Sequence, residues 1–589
     1  MPSAGTIVHG RPSGFLQWLG VRRWAPVNVL WLSLLIAATS VWGFGTMSPY
    51  YPRWLVIYVM ASVAGIAFIV HLWKRRALRI GAADLAVFAF VAYAAQSILW
   101  SADWREGLYE IQNLAALAVV FLYVRHANPK WVPEAALFCI VLTLVLVWLF
   151  PADNGGHGNP NFTTEFLLIA APLACGIRGR PCLFIPPVFL AVAVYLFFFN
   201  TSNIEFAVLI GLGAILYGWA LVRASGRWAV AMHMGVALAG GAGVLLLGTI
   251  PSVVSSLNGR LELFTNTIVM WWDKPFFGHG LGSFNYVYPL FREFHLTLFP
   301  GMGTILRTPT MYAGHAHNEL LQGLAELGIV GMVLAGLFLW IVFARRRDQE
   351  TPLSAIWVLV IAAMVAMIEF PLSNPATAIL VAVALGQVAQ REEEWVRVPN
   401  PATLGLSVLT VLAGVVLIGS GGAAVAAERH IASMRVYWDA DPLHSLRANM
   451  RAREIYPLPS YTRHHLVLTL ANLMARRPVA IAANAADHIY AISKTASANN
   501  PASLIARVEY LMAAGRYKEP EVEMLLAQLK RRATLMPATW LNETVYANMI
   551  GDKERASRAM AMGMKWANPV FGQQMAAILK AVSEKETTS

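Results

Sequence analysis

The feature that most limits how this chain can fold is the recurrence of apolar runs of about twenty residues, separated by short polar connectors. A hydrocarbon core about 30 Å thick is crossed by roughly 20 residues of α-helix. That ruler gives spans at 27–45, 54–73, 82–100, 107–125, 132–150, 161–177, 182–200, 203–222, 228–249, 320–343, 353–371, 375–390 and 403–425. The chain is therefore expected to be all-α, a polytopic membrane bundle of about 13 helices. Composition agrees, since 57% of the residues are apolar and 13% charged, against about 45–50% and 25% in soluble domains.

The net charge of +12 would suit a nucleic-acid partner if the basic residues were gathered on one surface. They sit instead in short runs between apolar segments, where they set orientation in the bilayer. With residues 1–26 as a cytoplasmic segment, the even-numbered connectors carry Lys74 to Arg79, Arg125 and Lys130, Arg178 and Arg180, Arg223 and Arg227, Arg345 to Arg347, and Arg391 and Arg397. The short odd-numbered connectors carry Arg53 and Arg105 alone. This asymmetry places the N-terminus in the cytoplasm. The first apolar run has no small-residue cleavage site after it and reads as a retained anchor. Cys139, Cys175 and Cys182 lie in or beside apolar segments without a CxxC pair, so neither a disulfide framework nor a structural zinc site is indicated.

Spans 1–9 occupy 27–249 and spans 10–13 occupy 320–425. Between them, 250–319 is expected as a long external loop, too aromatic for a disordered one, lying on the bilayer surface. It holds Arg260, Lys274, Arg292, Arg307 and a His315-x-His317 pair, and is the expected catalytic element. Residues 428–589, on the same side, regain charge and show apolar residues at helical spacing. EYLMAAGRYKEPEVEMLLAQL and ANMIGDKERASRAMAMGMKWA read as helix–turn–helix units closed by prolines. They look like degenerate tetratricopeptide repeats, a plain helical bundle being the alternative.

Polar clusters mark the external ends of several spans: WSADWREGL, GGHGNPNF with His157, Asn159 and Asn161, then Asn203 and Glu205, and finally His315, His317, Asn318 and Glu319. Folding the helices into a bundle would gather them around one cavity, and ionisable groups at membrane depth mark function by default, Glu165 and Glu205 among them. Arginine forks bind phosphate oxygens bidentately. A neutral imidazole accepts a proton, and no acidic partner for one is evident in the sequence. The combination fits transfer of a group from a diphosphate leaving group.

Arg260, DKPFFGHGLGSF at 273–284 and AHNELLQGLAELGIVGMVL at 316–334 together resemble the signature of the O-antigen ligase, O-antigen polymerase and protein O-oligosaccharyltransferase superfamily. The resemblance covers about 80–390. It implies a GT-C-like inner-membrane fold with a periplasmic catalytic face and a periplasmic C-terminal domain. It further implies an undecaprenyl-diphosphate-linked glycan as donor, a glycan, lipid or protein hydroxyl as acceptor, and an inverting, metal-independent transfer without cofactor. His317 would be the base and Arg260 a diphosphate ligand. Family members carry Ser-Arg-Gly where this chain has Thr201-Ser202-Asn203-Ile204-Glu205, which leaves Arg292 or Arg307 as the nearest external substitutes. Polymerisation of surface polysaccharide is the leading expectation. Transfer to lipid A core or to protein and, in another class, a lipid-linked glycan flippase are the alternatives, and the C-terminal repeats could engage export partners.

Each residue also has a structural reading. His317 could cap a helix, Arg260 could anchor to the membrane surface, and His315 could pack rather than bind. His315, His317 and Glu319 match no common zinc spacing. The glycines of GHGLGSF suit tight turns better than a nucleotide loop, since no strand precedes and no GK[ST] follows.

Overall fold

The computed structural model describes residues 26–40, 50–75, 77–127, 129, 131–150, 157, 160–177, 251–291, 313–344, 353–389, 395–397, 399–436, 441–458, 487, 501–534 and 536–566. The expected spans 182–200, 203–222 and 228–249 lie outside these residues. The other ten spans are each helical, as α1 (Pro26–Ser40), α2 (Tyr50–Arg75), α3 (Ala82–Ser97), α4 (Trp104–Ala127), α5 (Val132–Leu149), α6 (Pro160–Ala174), α9 (Glu319–Ala344), α10 (Leu353–Ala366), α11 (Pro375–Val388) and α12 (Asn400–Val436). Among the described residues, six helices are long and apolar enough to cross a membrane, and α1, α6, α10 and α11 contribute shorter apolar stretches.

One departure from an all-α fold is small. β1 (Ala77–Arg79) and β2 (Trp395–Arg397) pair antiparallel, Leu78 opposite Val396. The connectors after α2 and before α12 are therefore joined by this pairing.

The segment expected as a loop begins as a helix. α7 (Pro251–Asp273) is followed by α8 (Phe284–Phe291). The reason is a helical repeat of apolar positions: Leu263, Thr267 and Met270 are buried on one side, while Leu261, Ile268 and Trp272 are exposed on the other. Leu263 and Met270 join Phe284, Val287, Tyr288, Ala316 and Ala325 in a small core of their own.

DKPFFGHGLGSF is the clamp that joins this unit to α9. α9 breaks at Gly328, whose φ of 65° and ψ of −171° are outside helical space. The peptide groups around the break bond to the loop instead. His279 N–H donates to Ala325 O (2.9 Å), Gly280 N–H to Glu326 O (2.8 Å), Ile329 N–H to Pro275 O (2.8 Å) and Val330 N–H to Phe276 O (3.1 Å). Gly278, Gly280 and Gly282 all have positive φ, and a Cβ at Gly278 would run into the Glu326 backbone. The Glu326 carboxyl accepts from Phe284 N–H (2.9 Å) and Gly282 N–H (3.1 Å). The WSADWREGL motif and the end of α3 complete the clamp, with Ser101 Oγ donating to Leu281 O at 2.9 Å and Ser97 Oγ accepting from Leu281 N–H at 3.0 Å. These glycines make turns, as expected, and Ser101 serves the clamp.

Beyond α12, the chain continues through α13 (Pro442–Ile455) to α14 (Pro501–Ala513), α15 (Pro520–Arg532), α16 (Pro537–Met549) and α17 (Lys553–Trp566). Both expected helix–turn–helix units form, turning at Gly515 (φ 71°) and Gly551 (φ 81°). After Gly515, Arg516 N–H donates to Leu511 O; after Gly551, Asp552 N–H donates to Ala547 O, which satisfies the last helical carbonyls. Val508, Leu511, Val522, Leu525, Leu526 and Leu529 form their core. α15 touches α8, so these helices and the clamp share one side of the molecule.

Candidate functional site

The site forms where the start of α9 meets the turn 367–374 between α10 and α11. Asn318 begins α9, its Oδ1 accepting from Leu321 N–H at 3.0 Å. Its Nδ2 donates to Met367 O at 3.0 Å. The next residue, Glu319, accepts from the N–H groups of Leu372 (2.7 Å) and Ser373 (3.1 Å). Two consecutive side chains thus hold both ends of the turn, and the turn presents Glu369.

Glu369 is the hub. One carboxyl oxygen accepts from His317 Nδ1 at 2.8 Å, and the other pairs with the Arg260 guanidinium. Arg260 Nε also donates to Ile368 O at 3.1 Å. Exposure runs outward, with 1% for the Glu369 side chain, 14% for Arg260 and 34% for His317. His317 has a φ of 50°, a left-handed conformation uncommon outside glycine that the bonds of Asn318 and Glu319 on either side of the turn hold in place. A carboxylate on Nδ1–H fixes the tautomer in which Nε2 is the basic nitrogen.

His315 points elsewhere. Its ring stacks on Phe370 at 4.5 Å and 22°, while Phe370 meets His317 edge-on at 5.1 Å and Phe162 of α6 at 5.6 Å. Burial, then the neighbouring His317, pulls the His315 imidazole down to about 4. His315 thus packs on Phe370, His317 bonds Glu369, and Glu319 bonds the backbone of the turn. Asn161 lies half-buried in the first turn of α6, next to Phe162. His157 is buried against Phe166, its Nδ1 accepting from Arg53 at 2.9 Å, and burial with the Arg53 charge beside it holds its proton affinity well below the usual range. Arg53, expected in an external connector, is 1% exposed within α2. Arg292, Arg307, Asn159, Asn203 and Glu205 lie outside the described residues.

Sequence reasoning brought Arg260, His317 and Asn318 to the site and missed Glu369. It supplied no acid for the histidine, whereas the structure places a carboxylate in hydrogen-bonding contact with it. Glu369 was absorbed into the expected span 353–371, although a lone carboxylate in AMIEFPL, between two apolar runs, was the available signal. The helices flanking it explain its position. α10 and α11 have 14 residues each, about 21 Å of helix against a core of about 30 Å. Helices this short leave the turn between them set back from the ends of the longer ones.

A proton-accepting imidazole, a carboxylate that orients it and a guanidinium beside both can take a proton from a hydroxyl next to an anionic group. Residues 188–336 match the family described as O-antigen ligase, a stretch that runs from before α7 through Arg260, the glycine clamp and His317 into α9. Neither a curated protein nor a solved structure matches the chain.

Proposed function

From an O-antigen ligase domain in a multi-pass membrane protein, we propose a glycosyltransferase that moves a glycan from undecaprenyl diphosphate to an acceptor hydroxyl at the periplasmic face of the inner membrane. The single observation that carries this reading is the shared carboxylate. Glu369 draws Arg260 and His317 into one cluster, where a lipid diphosphate and an incoming alcohol can meet.

In this mechanism Glu369 holds His317 Nδ1–H, and Nε2 takes the proton of the acceptor hydroxyl. The acceptor oxygen bonds to the anomeric carbon as the carbon–oxygen bond to the diphosphate breaks, and that electron pair leaves with the diphosphate. Attack from the face opposite the leaving group inverts the anomeric centre. Arg260, whose guanidinium has five N–H donors, steadies the departing charge. Arg292 and Arg307 are the proposed further diphosphate ligands, and Asn159, Asn161, Asn203 and Glu205 are proposed to bind substrate, while His315 packs on Phe370 and Asn318 ties the Glu369 turn to α9.

The helical hairpins α14–α17, with their glycine turns and prolines at helix starts, support a tetratricopeptide-like platform. A platform of that size suits a long acceptor, so polymerisation of polysaccharide repeats is favoured over ligation to lipid A core or to protein. Purified full-length protein in detergent, supplied with lipid-linked repeat units, is expected to extend them. A flippase predicts no product, because detergent leaves no second compartment to deliver to.

A further inference from the structure

Buried polar atoms without partners are rare, because each forfeits the hydrogen bonds that water gave it. Several gather behind the turn that carries Glu369. Glu165, in the second turn of α6 and 0% exposed, has neither carboxyl oxygen in full hydrogen-bonding geometry with a partner. Asn374, 1% exposed, caps α11 by accepting from Ala376 N–H at 3.2 Å through Oδ1. Its Nδ2 faces the Glu165 carboxyl in a loose contact that falls short of a full hydrogen bond. Glu319 uses Oε1 on the turn, and its Oε2 is unpartnered. Glu165 is within electrostatic reach of Glu319, Glu369 and Arg260. Phe162, one helical turn before Glu165, touches Phe370. The unpartnered groups therefore adjoin the His317–Glu369 pair.

Their chemistry is wrong for a diphosphate, which calls for cations or several N–H donors, whereas this cluster offers two carboxyl groups and one carboxamide. It is right for a polyol. A carboxyl group can engage two neighbouring hydroxyls at once, and a carboxamide N–H donates to a third oxygen. We propose that Glu165, Asn374 and the unpartnered oxygen of Glu319 form a hydroxyl-binding subsite that takes the sugar next to the diphosphate. This assignment rests on the transferase reading above. Hydroxyl chemistry is shared by sugar and ordered water, and the test separates the two.

The probes are glycan-free polyprenyl diphosphate and the same lipid bearing one sugar, bound to the full-length protein in nanodiscs. Wild-type protein is expected to hold the sugar-bearing lipid at least about tenfold tighter, the scale of one or two added hydrogen bonds. Glu165→Gln, which keeps the shape, and Asn374→Asp, which keeps the cap, are expected to erase that difference while binding the bare lipid as wild type does. That last result also reports that the variants are folded. Variants that retain the difference, or a map of the sugar-bearing complex with only ordered water at Glu165 and Asn374, overturn the subsite alone. A wild-type protein that binds neither lipid overturns the transferase reading and the subsite together.

Discussion

Glu369→Gln tests the hub with almost no change of shape. In the native site one carboxylate, 1% exposed, receives hydrogen bonds from His317 Nδ1 and from Arg260. A carboxamide has one accepting oxygen and one donating nitrogen, so it can satisfy one of those donors and must present N–H to the other. The donor left buried and unpaired costs about 1–3 kcal/mol. The chemical loss is larger. Without the carboxylate the imidazole loses both its fixed tautomer and the counter-charge for the proton it takes up, and a positioned base contributes about 10²–10⁴-fold. Transfer of a lipid-linked glycan by purified protein is therefore expected to fall at least a hundredfold, while thermal unfolding shows most molecules still folded. Wild-type turnover in Glu369→Gln, or a loss matched by an equal loss of folded protein, would refute the argument.

Other substitutions probe the supporting structure. Gly278→Ala places a Cβ at a φ of 66° against the Glu326 backbone; it should destabilise by about 1–3 kcal/mol or more, read as lower yield and melting temperature. His315 titrates near 4 when folded rather than at the ordinary 6.5, so the unfolded chain binds the extra proton between those values. Stability is expected to be full above about pH 6.5 and to decline as pH falls toward 4, and His315→Phe should flatten that slope in melts across pH. In the C-terminal helices, Glu543 accepts from Lys530 at 3.0 Å and Arg555 at 2.7 Å with its side chain 4% exposed. Glu543→Ala should loosen the α15–α16–α17 packing by about 1–3 kcal/mol, seen as faster hydrogen exchange there.

What could be read from residues alone was what rests on local pattern. Apolar runs of membrane length within the described residues became helices, and the glycines of GHGLGSF became turns because positive φ is a single-residue property. His317 and Arg260 stood out as polar groups in an apolar chain. The pairing of distant parts was hidden. Glu369 is 52 positions from His317, and nothing local says that the α10–α11 turn folds back on the start of α9. The clamp was hidden for the same reason. Its glycines read as turns, but nothing local says that the loop replaces α9's own hydrogen bonds at the break at Gly328. α7 was misread as loop because its polar residues drew more weight than the helical spacing of Leu263, Thr267 and Met270.

The central claim is that His317 and Arg260 act on one substrate through a shared carboxylate. Its most direct test is the single-turnover rate of glycan transfer by purified wild-type, His317→Ala and Arg260→Ala proteins from the same polyprenyl diphosphate donor. The account predicts a fall of about a hundredfold or more in each. Transfer at the wild-type rate in either variant would contradict it.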